Sequence, residues 1–316
     1  MEESSNPSPT PNWCDMPFEI RLFCIKRMDF PSRMQLRATA RLEKQLVELY
    51  KPHEEVLGLV NFGENNEIVG AYFDRDGASL DMLQYVKGNL DEGYQNIVES
   101  LVKYHRIDHL LIDGFIHDEE SLLEGVGRVK QRPFHALSLG GLSNHNLHTA
   151  MENFGDGVEL LSFKKPPRLG LQRVLRDPLI VPMLIGCRVM RFTEFDDVPI
   201  NTIIALWLDH DKATNSKLII FVCVYEVPNP DDDTSIQDNA LASFSSEFSA
   251  RVIDEYTEDG VVRIQMDDKS KHILMRVQNK NYEHGAAAVY LIGKVVEATL
   301  MASEYETAIG EFPDYF

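Results

Sequence analysis

From Ile107 to Val222 the chain repeats one phrase: an apolar residue, two others, an apolar residue, one other, an apolar residue. It occurs at Ile107, Leu110, Ile112; at Phe134, Leu137, Leu139; and at Val158, Leu161, Phe163; it recurs more loosely at Cys187, Met190, Phe192 and at Lys217, Ile220, Val222. The alternating end of each phrase predicts a short strand, because side chains two apart share a face. Between the phrases, apolar residues recur at helical spacing: Tyr94, Ile97, Val98, Leu101; Leu122, Leu123, Val126, Val129; Leu147, Ala150, Met151, Phe154; Ile180, Met183, Leu184; and Ile200, Ile203, Ile204, Trp207. Asp91, Asp118, Ser143, Asp177-Pro178 and Asp197 stand at or near the helix starts, where a short polar side chain caps free N-H groups.

The central positions 110, 137, 161, 190 and 220 lie 27, 24, 29 and 30 residues apart. One strand and one helix per unit of that length is the leucine-rich-repeat period, and such units bury their apolar faces only by stacking. An open doubly wound sheet shares the strand and helix alternation. Its central strands, covered on both faces, read as continuous apolar runs, whereas these phrases alternate. The pattern predicts an α/β chain whose residues 91–316 form a curved leucine-rich-repeat-like β/α solenoid with a C-terminal capping hairpin and helix. The run from Leu218 to Val224 is apolar on both faces and breaks the regularity.

Before the repeats, Val56 to Phe62 and Ile68 to Phe73 flank Gly63-Glu64-Asn65-Asn66-Glu67 and predict a hairpin within a linker over 53–90. After them, Pro228 to Asp238 reads as a solvated acidic loop, and Leu241, Phe244, Phe248 and Val252 as a helix. Val261 to Met266 and His272 to Gln278 form a second hairpin. The apolar segment Ala286 to Leu300 fits strand and helix equally.

Strand alternation also predicts a substrate surface on the concave face. If Leu110, Ile112, Leu137, Leu139, Leu161, Phe163, Met190 and Phe192 point into the core, the opposite face carries His109, Leu111 and Asp113, then Ala136 and Ser138. It continues with Leu160, Ser162 and Lys164, then Val189, Arg191 and Thr193, and last Ile219, Phe221 and Cys223. The early rows are small and polar. The last is apolar on both faces, so the chain's own C-terminus is expected to cover it.

The first 52 residues differ in character. Residues 1–11 lack apolar content and read as a disordered tail. In 12–52, Pro17 suits the first turn of a helix running to Met28, with Ile20, Phe23, Cys24 and Met28 as its apolar stripe. Asp29-Phe30-Pro31 turns the chain and Ser32 caps the next helix, giving about three helical pieces up to Tyr50. So short a unit buries too little apolar area to stand alone and calls for a partner. It carries seven basic and four acidic residues between 16 and 50, leaving the rest of the −19 chain at −22. A basic patch on so acidic a protein favours an acidic partner at that patch.

These residues resemble the F-box: Met16-Pro17 in place of Leu-Pro, Glu19 two beyond the proline, Cys24-Ile25 at the Ile-Phe position, Met28 at the Leu, then Met34 and Thr39-Ala40 before a basic end. The match is gap-free across the motif, with Glu43 where many F-boxes carry Trp. Taken with the remainder of the chain, this stretch is similar to the nematode F-box proteins with an FTH-type or leucine-rich-repeat-like C-terminal domain. The resemblance implies a non-catalytic substrate receptor of a Skp-cullin-F-box type ubiquitin ligase. Met16, Pro17, Ile20, Cys24, Ile25, Met28 and Phe30 would grip a Skp-type adaptor, and through it a cullin. His109, Leu111, Asp113, Ser138, Ser162, Lys164, Arg191 and Thr193 would meet a protein substrate. An interaction scaffold outside any ligase, and a small α/β enzyme, are the alternatives.

Composition narrows the classes. At 44% hydrophobic and 26% charged, the chain builds a globular core. A charge of −19 opposes nucleic acid, which is bound through clustered Lys and Arg. The longest apolar stretch, near Pro178 to Met190, is broken by Pro182 and falls short of the ~20 residues of a membrane span. Cys14, Cys24, Cys187 and Cys223 form no C-x-x-C pair and read as free thiols in a reducing compartment, cytoplasmic or nuclear. Asp74-Arg75-Asp76-Gly77 lacks the later ligands of a calcium loop; His105 and His109 are separated by a helix end; His145 and His148 have no third ligand at metal spacing. Gly125-Val126-Gly127 lacks the third glycine of a dinucleotide site, and neither a G-x-S-x-G elbow nor a P-loop occurs. No cofactor, metal or catalytic group is indicated.

Overall fold

A computed structural model describes residues 12–28, 30–39, 41–49, 53–61, 68–73, 99, 102, 106–114, 120–129, 133–193, 200–226, 241–242, 244–256, 260–281 and 286–309. It is a mixed α/β chain: a three-helix N-terminal module precedes one open eleven-stranded sheet whose connecting helices pack on one face.

The module consists of α1 (Phe18–Arg27), α2 (Phe30–Thr39) and α3 (Arg41–Leu49). Helix α2 starts at Phe30 with Pro31 inside its first turn, two residues before the expected cap at Ser32. Proline is tolerated in a first turn because its missing N-H has no partner there anyway. Ile25, Leu46 and Val47 are the buried centre, with Trp13, Met28 and Leu36 packed around them; this core is separate from that of the sheet. The sequence stripe of α1 is therefore turned. Ile25 faces inward, and Ile20 and Phe23, expected inside, are about half exposed at 48% and 50%.

The sheet's parallel half runs in chain order through β1 (His53–Asn61), β3 (Arg106–Asp113), β4 (Ala136–Gly140), β5 (Leu160–Lys164), β6 (Val189–Thr193) and β7 (Lys217–Glu226). The expected hairpin exists as β1 and β2 (Ile68–Phe73), with Val60 opposite Val69. It is part of the sheet, since β1 also pairs in parallel with β3. The connecting helices include α4 (Glu120–Val129), α5 (Asn144–Phe154), α7 (Val181–Gly186) and α8 (Ile200–Asp209). The hydroxyl of Ser143 caps α5 by accepting from the Asn146 N-H at 3.0 Å. An additional helix, α6 (Arg168–Val174), buries Leu171 and Val174. Of the helix expected over 94–101, residue 99 alone is described, and it is helical; the caps at Asp91, Asp118 and Asp197 lie outside the described residues, as does the loop 228–238.

Strand Leu137, Leu139, Leu161, Phe163, Met190, Phe192, Leu218 and Ile220 share one buried cluster with helix Val126, Met151, Phe154 and Trp207. Phe163 and Phe192, register partners on β5 and β6, stack at 5.1 Å. The strands end alike. Asp113, Gly140 and Lys164 are register partners, and each is followed by a residue with positive φ: Gly114 (81°), Gly141 (56°) and Lys165 (45°). Each of these three donates its N-H to the next strand's last pairing residue, Gly140, Lys164 and Thr193. At the other end, the carbonyls of His135, Glu159 and Arg188 each accept from the start of the following strand. Lys165 holds a left-handed backbone that an L side chain disfavours by ~1 kcal/mol, so the turn outweighs the residue preference there.

The antiparallel half settles the ambiguous segment. Ala286–Glu297 is a twelve-residue strand, β11, wedged between β7 and β10 (Lys271–Asn281), with Ile219 opposite Ile292. The apolar run of β7 thus has a strand on each side. The second hairpin, β9 (Val261–Gln265) and β10, forms as expected. Val252, expected at the end of a helix, instead opens the edge strand β8 (Val252–Tyr256). A short helix, α9 (Tyr305–Ile309), lies over the face opposite the other helices, and its Tyr305 and Ile309 bury Ile219, Leu274, Tyr290 and Ile292.

Candidate functional site: the open face of the sheet

Alternation places the expected surface residues as the sequence requires. Leu110, Ile112, Leu137, Leu139, Leu161, Phe163, Met190 and Phe192 are all within 2% of complete burial. His109, Leu111, Asp113, Ser138, Ser162, Arg191 and Thr193 are half-buried and Lys164 is exposed, on the opposite face. Register brings them into rows: Leu111, Ser138, Ser162, Arg191 and Ile219 form one, and Asp113, Gly140, Lys164 and Thr193 the next. Ile219 is buried by α9, so the chain's own C-terminus covers the end of the face. The side chains of Phe221 and Cys223 lie outside the described ones.

Asp113 occupies space that two glycines leave open. A Cβ on Gly140 would stand 2.7 Å from Asp113 Oδ1, and one on Gly141 2.9 Å from it. The carboxylate meets Lys164 Nζ at 3.7 Å. His109 Nε2 lies 2.7 Å from Ser138 Oγ. Burial, then the positive Arg191, then His135 push the His109 imidazole down from 6.5 to about 4. At neutral pH its ring is therefore neutral and accepts from one partner only. The unfolded chain binds this proton from about pH 6.5 downward and the folded chain only near 4, so stability falls as pH drops through that window. We expect His109→Asn to flatten that part of the profile, read from melting temperatures between pH 7 and 4.5; an unchanged slope would contradict a neutral His109.

The face is basic although the protein is acidic. Lys164, Arg191, Lys217, Lys294, Arg263 and Arg276 all belong to it by register and alternation, against Asp113 as the one carboxylate among its described side chains. Burial first, then Lys294 and Arg191, lower the Lys217 pKa; burial lowers that of Arg191, opposed by Tyr290. Two of these cations hold α9 in place. Lys294 Nζ donates to the Ala308 carbonyl. The Arg263 guanidinium donates to the carbonyls of Ala298 and Leu300 at 2.8 Å, to the Tyr305 hydroxyl at 2.5 Å and to His272 Nδ1 at 2.7 Å. Sequence reasoning missed Lys217 and Lys294. The signal was present: Lys294 is the lone charge between Ala286 and Val296.

On the N-terminal module, Pro17 and Ile20 are exposed, Met16, Cys24 and Met28 half-buried, and the Phe30 side chain lies outside the described ones. Ile25 is fully buried, so it is core and not contact surface. Phe18 and Phe23 join the exposed apolar group, the Arg27 guanidinium lying 4.1 Å from the Phe23 ring centre. Glu43 is buried and approaches Arg21 at 4.0 Å.

His148 Nε2 meets Asp177 Oδ2 at 2.7 Å and Nδ1 lies 3.4 Å from Glu152, tying α5 to the turn before α7. The Cys187 thiol donates to the Leu184 carbonyl, and burial raises its pKa to about 11. Among the described residues, no three His, Cys, Asp or Glu side chains could hold a metal ion, and no helix is long and apolar enough to cross a membrane. Neither a protein-family profile nor a curated protein matches the chain. One solved structure found by fold comparison, a zinc-bound triple mutant of the YjiA GTPase, is 10% identical over 88% of this chain and 93% of its own, with a TM-score of 0.14. That likeness carries no argument.

Proposed function

We propose that this chain is a non-catalytic substrate receptor of a Skp-cullin-F-box type ubiquitin ligase. The observation that carries this reading is the N-terminal module: three helices with a core of their own, an exposed Pro17 capping α1 and exposed Phe18, Ile20 and Phe23 on it. Apolar side chains grouped on one helix of a small unit suit a partner's groove. The module's positive charge on an acidic chain suits an acidic adaptor.

In this reading the rest of the chain is a leucine-rich-repeat-like solenoid. Three features support it: strand order follows chain order through the parallel half, successive strands end in the same left-handed turn, and α4, α5 and α6 pack each on the next. The open face then holds the substrate, and the ligase works in a reducing, cytoplasmic or nuclear, compartment. Purification of the tagged full chain from reducing lysate tests this: adaptor and cullin are expected to co-purify with it, and recovery of neither would overturn it.

A further inference from the structure

Resting on the receptor reading of the open face, we infer that the substrate segment it holds is an acidic peptide, lying beside α9 with its carboxylates on Lys164, Arg191 and Lys217. The placement comes from the sheet. Lys217 stands directly opposite Lys294 on β7 and β11, an arrangement that disfavours the empty sheet because like charges across a strand pair repel. Arg191 is on the neighbouring strand, two residues along from the partner of Lys217, and Lys164 is the partner of Thr193, two further still. The cations thus run diagonally over β5, β6 and β7, one per strand. Among the described residues, the charges that lower the Lys217 pKa, Lys294 and Arg191, are both positive. An incoming carboxylate relieves that repulsion.

The spacing selects the anion. Adjacent strands are roughly 4.8 Å apart, so the cations form a line rather than converging on one point, and the strand N-H groups between them are spent in the ladder. A single phosphate is best held by converging donors or a helix N-terminus. Several carboxylates along an extended segment match a line. Ser162, in the row of Arg191, adds a hydroxyl beside the same path. A nucleic acid strand would run off this patch onto a protein of charge −19. Beyond a Debye length of ~8 Å the distant acids are screened, and a short peptide feels the local cations.

The test is fluorescence anisotropy with the full chain at physiological salt. Four labelled probes are compared: a short peptide of alternating glutamate and serine, its glutamine counterpart, a peptide with a single phosphoserine, and a single-stranded oligonucleotide. The glutamate peptide is expected to bind at least about tenfold more tightly than each of the other three. Arg191→Gln with Lys217→Gln is expected to abolish the difference while the melting temperature stays within a few degrees. Equal or absent binding of the glutamate and glutamine peptides by the wild-type chain overturns the inference, as does preference for the phosphopeptide or the oligonucleotide, whatever the variant does. Adaptor binding, measured on the same protein, reports separately on the receptor reading: retained adaptor binding without acidic preference sinks this inference alone.

Discussion

Arg263→Leu is expected to remove about 3 kcal/mol or more from the stability of the folded chain and to free the C-terminal helix from the sheet. The guanidinium is buried, and its donors serve two carbonyls and a hydroxyl within residues 298–305 and the His272 ring nitrogen on β10. Leucine has similar bulk but no donor, so those acceptors are left in a low-dielectric site where each unsatisfied group costs ~1–3 kcal/mol. The consequence reaches the open face. With Tyr305 and Ile309 released, Ile219, Leu274, Tyr290 and Ile292 lose their cover. Urea unfolding gives the energy, and limited proteolysis after residue 297 reports the release. A loss under ~1 kcal/mol with an unchanged digest would contradict the role given to Arg263.

The second large effect is expected at Lys212→Met, also about 3 kcal/mol. Lys212 is fully buried, 5.4 Å from the Trp207 ring centre, and its ammonium donates to the carbonyls of Leu184, Ile185 and Cys187 at 2.5–2.9 Å. These are acceptors that the end of a helix cannot satisfy within itself, here α7. Methionine fills the channel but leaves three carbonyls without the donor that joins them to the end of α8. Burial lowers the Lys212 pKa, opposed by Cys187. Lys271→Met is the control. That lysine pairs with Asp211 and Asp268 near the surface, where an ion pair is worth ~1 kcal/mol at most. Equal losses in the two variants would contradict the account of Lys212.

The parallel half of the fold was legible because its information is local. The phrase ending in Leu137 and Leu139 can only alternate, and burial on one side makes the register of β3 to β6 follow. The surface residues from His109 to Thr193 came out on one face for that reason. Helix α6 was legible in principle: Leu171, Val174 and Leu175 at helical spacing follow Pro166-Pro167. The antiparallel half was not. Ala286 to Leu300 is apolar at nearly every position, which suits strand and helix alike, and only its place between β7 and β10 decides. Nor could spacing show which side of α1 faces inward, because Ile25 and the pair Ile20 and Phe23 are all apolar and a small core takes only one side. The basic character of the open face was hidden by long-range pairing: Arg191, Lys217 and Lys294 are far apart in sequence and meet only through strand order.

The receptor reading stands or falls on the N-terminal helices. Its most direct measurement is a titration of purified Skp-type adaptor against the full chain, followed by calorimetry, for the wild type and for Ile20→Asp with Phe23→Asp. Both positions are about half exposed, so the double variant is expected to keep the wild-type melting temperature. The account predicts saturable one-to-one binding by the wild type and a loss of at least ~2 kcal/mol, roughly thirtyfold, in the variant. No binding by the wild type, or equal binding by the folded variant, would contradict it.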